Sequence, residues 1–269
     1  MELGKTEINE SGSDAPELGF DPDHLIGGNE VGKNDEPEGA DTPEAVNASE
    51  VDVNPETVLH DPELLAAPIE GLEQTQQGFD QLDNGNTLFD HPYETGATLN
   101  SNQGEAVPGF VGTCGLVSAE NVCKLAGKDI SEADVIAIAR ANKDCKHHFW
   151  WPAEANGTTN AYTICDVLSH LGIGASIDAS CSIDKIADSV QSGHGVIALV
   201  DVGEFWPDVD QDGGHAVTVT SVERNPDGSI AALYVCDSGR RGEQPCRRVE
   251  PDLFNESLYC AVVTDDIIR

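Results

Sequence analysis

The chain has 269 residues, enough for a sizeable hydrophobic core, and carries 49 Asp and Glu against 14 Lys and Arg, a formal net charge of −35. Such acidity excludes the basic surfaces that bind nucleic acid or anionic membranes, because phosphate groups would repel the chain. Residues 1–107 contain 25 Asp and Glu, 2 Lys and no Arg, so much of the negative charge is concentrated there.

The first part of the chain lacks the composition of a folded domain. Residues 1–75 are rich in Asp, Glu, Gly, Pro and Asn and poor in aromatic residues. They bury too little apolar surface to offset the chain entropy lost on folding, which predicts a disordered acidic tail over 1–75. A weak helical pattern covers 58–72, and residues 76–107 are predicted to form a partly ordered arm.

No targeting segment is predicted. The first ten residues, MELGKTEINE, have neither a basic nor an apolar region, and no run of about 18 apolar residues occurs in the chain. We therefore expect a cytoplasmic protein, or one exported by a signal-less route. The acidic tail could then serve as a docking segment for a basic partner or an export chaperone.

The rest of the chain, 108–269, reads as one α+β domain. Its helical patterns come first and its β-branched runs follow, which predicts a helical layer packed on an antiparallel sheet. Gly127 is predicted to end the first helix, and Ser131 with Asp134 to cap the second. The predicted helices are 116–127, 131–142, 158–172 and 182–193, and the predicted strands are 195–202, 215–223, 230–237 and 258–264.

All eight cysteines lie in this domain, and none forms a Cys-x-x-Cys pair, so the sequence predicts no metal site and no cofactor. Without a secretory signal, we expect reduced thiols, most of them buried as small apolar side chains. Cys114 differs in its position, because it stands directly before a predicted helix and is followed by Gly115. A thiol at a helix N-terminus is more readily ionised and therefore more nucleophilic.

The turn sequence RNPDG at 224–228 joins two predicted strands into a hairpin. A turn of this length sets His215 opposite residues 237–239, which brings His215 and Asp237 together. A carboxylate beside an imidazole fixes its tautomer and stabilises its charged form, and an imidazolium activates a thiol. Cys114, His215 and Asp237 thus form a candidate nucleophile, base and orienting acid.

Each of these residues has an alternative interpretation. Cys114 could be a buried structural thiol, and Asp237 could cap the turn that begins at Ser238. His194 also stands at the start of a predicted strand, but no carboxylate is predicted to pair with it.

Three stretches, TCGLVSAENV (113–122), GGHAVTV (213–219) and CDSG (236–239), resemble the motifs of the papain-like cysteine peptidase superfamily. The resemblance covers about residues 108–265 and is greatest to the bacterial branch of bacteriocin-leader peptidases and toxin-associated peptidase domains. It implies a papain-like fold in which Cys114 is the nucleophile, His215 the general base and acid, and Asp237 the orienting residue. The family's oxyanion hole uses a Gln upstream of the nucleophile, a role for which Gln103 and Asn102 are the nearest candidates.

Three further motifs carry weaker signals. The D-x-D-x-D-G pattern at 208–213 resembles a calcium loop, but Val219 stands where a bidentate Glu is required, so we interpret it as a solvated acidic loop. The aromatic residues Trp150, Trp151 and Trp206 are candidates for lining a substrate groove. The LIGG sequence at 25–28 resembles the double-glycine site that leader peptidases cut.

The sequence therefore predicts a cysteine peptidase that hydrolyses a peptide or protein substrate through an acyl-enzyme. The resemblance alone implies the setting of a bacterial toxin or effector. The same groups would serve a papain-like deamidase or acyltransferase. The alternative from a different class is a degenerate scaffold whose acidic tail binds a basic partner.

Overall fold

The structure is a computed structural model and describes residues 59–67, 78–90, 96–148, 152–180, 182–209, 213–240 and 246–269. Most of the predicted disordered tail, including the LIGG motif, lies outside these residues, as do Trp150 and Trp151. Among the described residues, no helix combines the length and the apolar character needed to cross a bilayer.

Helices and strands alternate along the second half of the described chain. The α-helices are α1 (Pro62–Ala66), α2 (Cys114–Leu125), α3 (Glu132–Asn142), α4 (Ala161–His170), α5 (Ile183–Gln191), α6 (Val202–Phe205) and α7 (Pro251–Ser257). The strands are β1 (Phe79–Gln81), β2 (Thr87–Phe89), β3 (Ala175–Asp178), β4 (His194–Asp201), β5 (Gly214–Arg224), β6 (Ile230–Cys236), β7 (Cys246–Val249) and β8 (Leu258–Ile267). The four long helices and four long strands predicted from sequence are confirmed, with small shifts at their ends.

Local sequence explains where the long helices begin and end. Gly127 has a φ of +81°, and the amide of Lys128 bonds the carbonyl of Cys123, which closes α2 as predicted. Ser131 and Asp134 form the predicted capping box at the start of α3. Asn160 and Thr163 form a second capping box, which starts α4 later than the predicted residue 158.

One antiparallel sheet contains all eight strands, with β5 at its centre. β4 pairs with the first half of β5, β2 pairs with its last three residues, and β6 pairs along the opposite edge. β8 and then β3 continue the sheet beyond β4, and β7 continues it beyond β6. Each contact between paired strands is antiparallel, as the sequence predicted.

Helices cover both faces of the sheet, whereas the sequence predicted one helical layer. Helices α2, α3 and α4 pack with Ile197, Leu199 and Val262 on one face. Helices α5, α6 and α7 pack with Val196, Ala198 and related side chains on the other. The physical reason is the sequence of β4, in which Gly195–Val200 is an unbroken apolar run, so both of its faces must be buried.

Part of the arm and of the predicted tail packs on the domain. The β1–β2 hairpin pairs with β5, and Asn86 Nδ2 donates to the buried Glu223 carboxylate at 2.6 Å. In the segment 59–67, Leu65 is buried, and Lys128 Nζ donates to the carbonyls of Leu65 and Ala67, each at 2.7 Å. These contacts tie residues before 108 to the domain that carries the candidate site.

Candidate active site

Cys114 is the first residue of α2 and is fully buried. The close packing of the next turn requires glycine at 115, because a Cβ there would lie 2.2 Å from Thr159 Oγ1 and 3.1 Å from Ile164 Cδ1. The first amides of a helix have no intrahelical acceptor, so the N-terminus of α2 presents N–H groups and the positive end of the helix dipole beside the Cys114 sulfur.

Thr113 precedes α2 but does not cap it, although threonine commonly does so with its hydroxyl. Its Oγ1 instead donates to Glu132 Oε1 at 2.5 Å and accepts the amide of Gly104 at 3.0 Å. Turning the hydroxyl away from the helix leaves the N-terminal amides of α2 available to another acceptor. Uncapped amides at a helix N-terminus can donate hydrogen bonds to an acyl oxygen, whereas amides capped for a structural role cannot.

Glu132 connects the loop before Cys114 to helix α3. Besides Thr113, its carboxylate accepts the amides of Gly104 at 2.9 Å and Ala106 at 3.2 Å. Burial raises the pKa of Glu132, and the hydrogen bonds from Thr113 and Gly104 partly oppose that shift. No sequence pattern indicates a role for this residue, because its partners lie 19 to 28 positions upstream.

His215 lies at the start of β5 between Cys114 and Asp237, and it is 3% exposed. Its Nε2 is 2.8 Å from Asp237 Oδ1, which leaves Nδ1 available to Cys114, the other group that raises the pKa of His215. Burial lowers the pKa of His215, but the charges of Asp237 and Cys114 outweigh burial and raise the pKa to about 10. The imidazole is therefore protonated at neutral pH in this environment.

Asp237 is buried and receives several donors. Trp206 Nε1 donates to Oδ2 at 2.9 Å, the Gly239 amide donates to Oδ1 at 3.1 Å, and Arg247 NH2 lies 3.4 Å from Oδ2. Burial raises the pKa of Asp237, yet His215, Arg247 and Trp206 together lower it to about 2. The carboxylate is thus ionised and oriented toward the imidazole.

Trp206 completes the surroundings of His215 in a way that sequence reasoning missed. Its indole ring lies 4.7 Å from the His215 ring, centroid to centroid, in a tilted arrangement. A Cβ at Gly239 would lie 2.4 Å from Trp206 and 3.1 Å from His215 Cε1, so the ring pair is tightly enclosed. Trp206 was predicted to line a groove, but it is 8% exposed and holds Asp237 instead.

The hairpin that joins His215 and Asp237 is confirmed. Its ladder begins at Thr218 opposite Cys236 and shifts register between Val219 and Ser221. Continued past its first pair, this register sets Gly239 opposite His215, within the predicted range of 237–239. The two side chains meet just beyond the end of the ladder.

Gln103 and Asn102 differ in their placement. The Gln103 amide bonds the carbonyl of Ser238, beside Asp237, and its Nε2 donates to the Val111 carbonyl at 3.1 Å. Ser238 Oγ also donates to Gln103 Oε1 at 3.2 Å. Asn102 Nδ2 lies 3.5 Å from Glu105 Oε1. Gln103 therefore lies between the two chain segments that carry Cys114 and Asp237, whereas the Asn102 side chain contacts its own loop.

The other sequence candidates lie in different surroundings. His194 Nδ1 is 2.8 Å from the Thr264 carbonyl. Asp208, in the calcium-like motif, pairs with Arg240 at 2.7 Å, while residues 210–212 of that motif lie outside the described part. Within the described residues, no group of three or more His, Cys, Asp or Glu side chains is arranged to hold a metal ion.

No protein-family model matches the sequence, and no curated protein matches it. Among solved structures, a crystal structure from Bacillus anthracis described as a "putative C39-like peptidase" is similar to this chain. The TM-score is 0.40 and the identity 13%, over 57% of this chain and 88% of that one. Similarity at this level establishes neither the fold family nor the activity, so the assignment depends on the geometry of the site.

Proposed function

We propose that this chain is a papain-like cysteine peptidase in which Cys114 is the nucleophile, His215 the general acid and base, and Asp237 the residue that orients His215. One observation carries the proposal: a buried imidazole is hydrogen-bonded to an ionised carboxylate, and its pKa is raised both by that carboxylate and by a thiol at a helix N-terminus. A structural thiol has no need of either partner.

The proposed reaction has two steps. The Cys114 thiolate attacks the substrate carbonyl, the His215 imidazolium gives its proton to the leaving amine, and the C–N bond breaks to leave a thioester. Water then attacks the thioester while His215 takes its proton, which releases the acid and restores the imidazolium beside the thiolate. The Cys114 amide and the Gln103 side chain supply the hydrogen bonds to the oxyanion.

The site is closed in this conformation, because Cys114 is fully buried and His215 is nearly so. A peptide carbonyl reaches the sulfur only after covering side chains move. Ser238 and Gln103, whose side chains bond each other across the two segments of the site, are candidates for the contact that opens. We therefore expect catalysis to include an opening step before acylation.

Two reagents test the nucleophile in the full chain. Iodoacetamide at about pH 6 should alkylate Cys114 far faster than the other thiols, because the protonated His215 imidazole and the N-terminus of α2 favour the attacking sulfur. p-Nitrophenyl acetate should leave one acetyl group on Cys114, detected by peptide mass spectrometry as a thioester. Both signals should be lost in Cys114→Ala and fall at least tenfold in His215→Ala, while Cys123→Ala, which removes another buried thiol of α2, should keep them.

Variants of Gln103 and Asn102 test which side-chain amide binds the oxyanion. Gln103→Ala should slow acetylation about 100-fold with little change in iodoacetamide alkylation, since alkylation develops no oxyanion, and Asn102→Ala should change neither rate. Equal, slow labelling of every thiol at about pH 6 would show that the domain is an inactive scaffold. Fast alkylation of Cys114 without its acetylation would show that the thiol is activated but would contradict the proposed peptidase activity.

A further inference from the structure

Cys236 and Cys246 lie directly opposite each other in the β6–β7 ladder. Directly opposed residues of an antiparallel pair point to the same face, and their Cα atoms are about 4.5–5.5 Å apart, within the range that a disulfide requires. Both side chains are buried in the same small apolar cluster, at 1% and 6% exposure, and both are free thiols.

The two thiols also interact with each other. The interaction between the two thiols raises the pKa of Cys236 and lowers that of Cys246. Thr220 Oγ1 lies 3.8 Å from the Cys246 sulfur, and a Cβ at Gly96 would come within 2.4 Å of the Cys246 Cβ. The surroundings hold both sulfurs on the same side of the ladder.

The pair adjoins the candidate active site on both strands. Asp237 follows Cys236 in the chain, and Arg247 follows Cys246 with its NH2 3.4 Å from the Asp237 carboxylate. A bond between the two sulfurs would close residues 236–246 into a ring that contains Asp237, and Arg247 would directly follow this ring in the chain.

We propose that Cys236 and Cys246 form a redox-active dithiol that closes to a cross-strand disulfide when a low-molecular-weight disulfide oxidises it. The Cys246 thiolate attacks one sulfur of the oxidant, so that a mixed disulfide forms and one small thiol leaves. The Cys236 thiolate then attacks the Cys246 sulfur and expels the second small thiol. The protein loses two hydrogens in total, and the oxidant is reduced to two thiols.

The disulfide stabilises the segment that holds Asp237. It removes freedom from the unfolded chain across residues 237–245, and the ladder already places its ends at bonding distance, so little native strain is introduced. We expect the oxidised protein to unfold about 5 °C above the reduced one. The chemistry of the pair does not require Cys114, so this inference is independent of the proposed peptidase function.

The full chain incubated with oxidised glutathione provides the test. After the free thiols are blocked in acid, trypsin should release residues 225–240 and 242–247 as one disulfide-linked species, since Arg224, Arg240, Arg241 and Arg247 bound these peptides. Cys114→Ala and Cys123→Ala should give the same linked species and the same rise in Tm. Cys236→Ala and Cys246→Ala should each abolish both.

Two results would overturn the inference. One is a folded protein whose Cys236 and Cys246 stay reduced in an oxidised glutathione buffer, although the same buffer oxidises them in the urea-unfolded chain. The other is a disulfide-linked protein whose Tm equals that of the reduced protein, because a bond that fits the native β6–β7 register should raise the Tm. Loss of Cys114 labelling alone would bear on the peptidase and leave the dithiol unaffected.

Discussion

His215 Nε2 and Asp237 Oδ1 lie 2.8 Å apart in a buried pair, although the ladder between their strands ends at Thr218 and Cys236. The bond joins an imidazole whose pKa is raised to about 10 and a carboxyl whose pKa is lowered to about 2. Each shift favours the charged form, so both side chains are ionised at neutral pH.

The substitution Asp237→Asn tests this pair. It removes the larger of the two charges that raise the pKa of His215 and leaves burial, which lowers it, opposed only by Cys114, so the pKa should fall well below its wild-type value of about 10. In the wild-type protein, the raised pKa contributes stability that is fully present below about pH 6.5 and lost as the pH rises through about 10.

Thermal unfolding from about pH 6 to 10 should therefore show an alkaline decline in the wild-type protein that Asp237→Asn reduces. NMR titration of the His215 Cε1 proton, assigned with His215→Gln, gives the pKa directly. An equal alkaline decline in both proteins would place the titrating group elsewhere.

Glu132 is expected to position the loop before Cys114. Glu132→Ala leaves the Ala106 amide and the Thr113 hydroxyl without their acceptor, removes one of the two acceptors of the Gly104 amide, and should cost about 3 kcal/mol of unfolding free energy. Glu132→Gln keeps one oxygen and should cost about 1 kcal/mol.

Urea denaturation measures these costs, and alkylation and acetylation of Cys114 measure the effect on the site. A positioning role predicts that Glu132→Ala slows acetylation more than alkylation and that Glu132→Gln restores part of it. Equal slowing of both reactions in the two variants would indicate a purely structural role.

The buried state of Cys114 predicts a dependence on reagent size. Iodoacetamide should alkylate Cys114 at least about tenfold faster than a polymer-linked iodoacetamide does, because the larger reagent needs a wider opening. Cys165, which is half-buried, provides the control and should show a smaller ratio. The same ratio at both thiols would mean that no opening step limits access to Cys114.

The negative charge predicts a strong dependence of stability on salt. Residues 108–269 carry 24 Asp and Glu against 12 Lys and Arg, a net charge of −12 that repels itself in the compact state, and about 1 M NaCl shortens the Debye length to about 3 Å. The Tm should rise by several degrees between about 0.05 M and 1 M NaCl, most steeply at low salt. A Tm that falls or stays constant over that range would show that ion pairs such as Arg240–Asp208 outweigh the repulsion.

The Gly239→Ala variant tests the enclosure of His215. The added Cβ would lie 2.4 Å from the Trp206 ring, so the indole must shift and its bond to Asp237 must lengthen. We expect loss of most Cys114 acetylation and reduced stability, measured as above. Gly109→Ala, where a Cβ meets nothing within 4 Å but the φ of +79° strains alanine, separates a general loss of stability from a local effect.

Much of the domain could be predicted because its long elements carry periodic apolar patterns and local caps. The capping box of Ser131 and the turn at 224–228 are short-range signals, and both are confirmed. Strands β3 and β7 were missed, since four residues are too few for a period to be recognised. The β1–β2 hairpin was predicted only as a partly ordered arm, because β-strands of three residues acquire their pairing from β5.

Residues of the candidate site could be predicted where local sequence determines their position, and were missed where their contacts are distant in the chain. Cys114, His215 and Asp237 could be brought together because one hairpin links two of them. Trp206 could not, since its bond to Asp237 depends on how the α6 turn packs against β4 and α7. Glu132 was missed for the same reason, because its partners are backbone amides that no residue type reveals.

The β1–β2 hairpin also protects the sheet against self-association. Its strand β2 covers the edge of β5 at Val222–Arg224, which would otherwise present unpaired backbone groups to another molecule. A chain shortened to begin at Pro108 would expose that edge and leave the buried Glu223 without its bond from Asn86. Such a truncated chain should aggregate by edge-to-edge pairing, because the acidic arm would no longer cover the edge of the sheet.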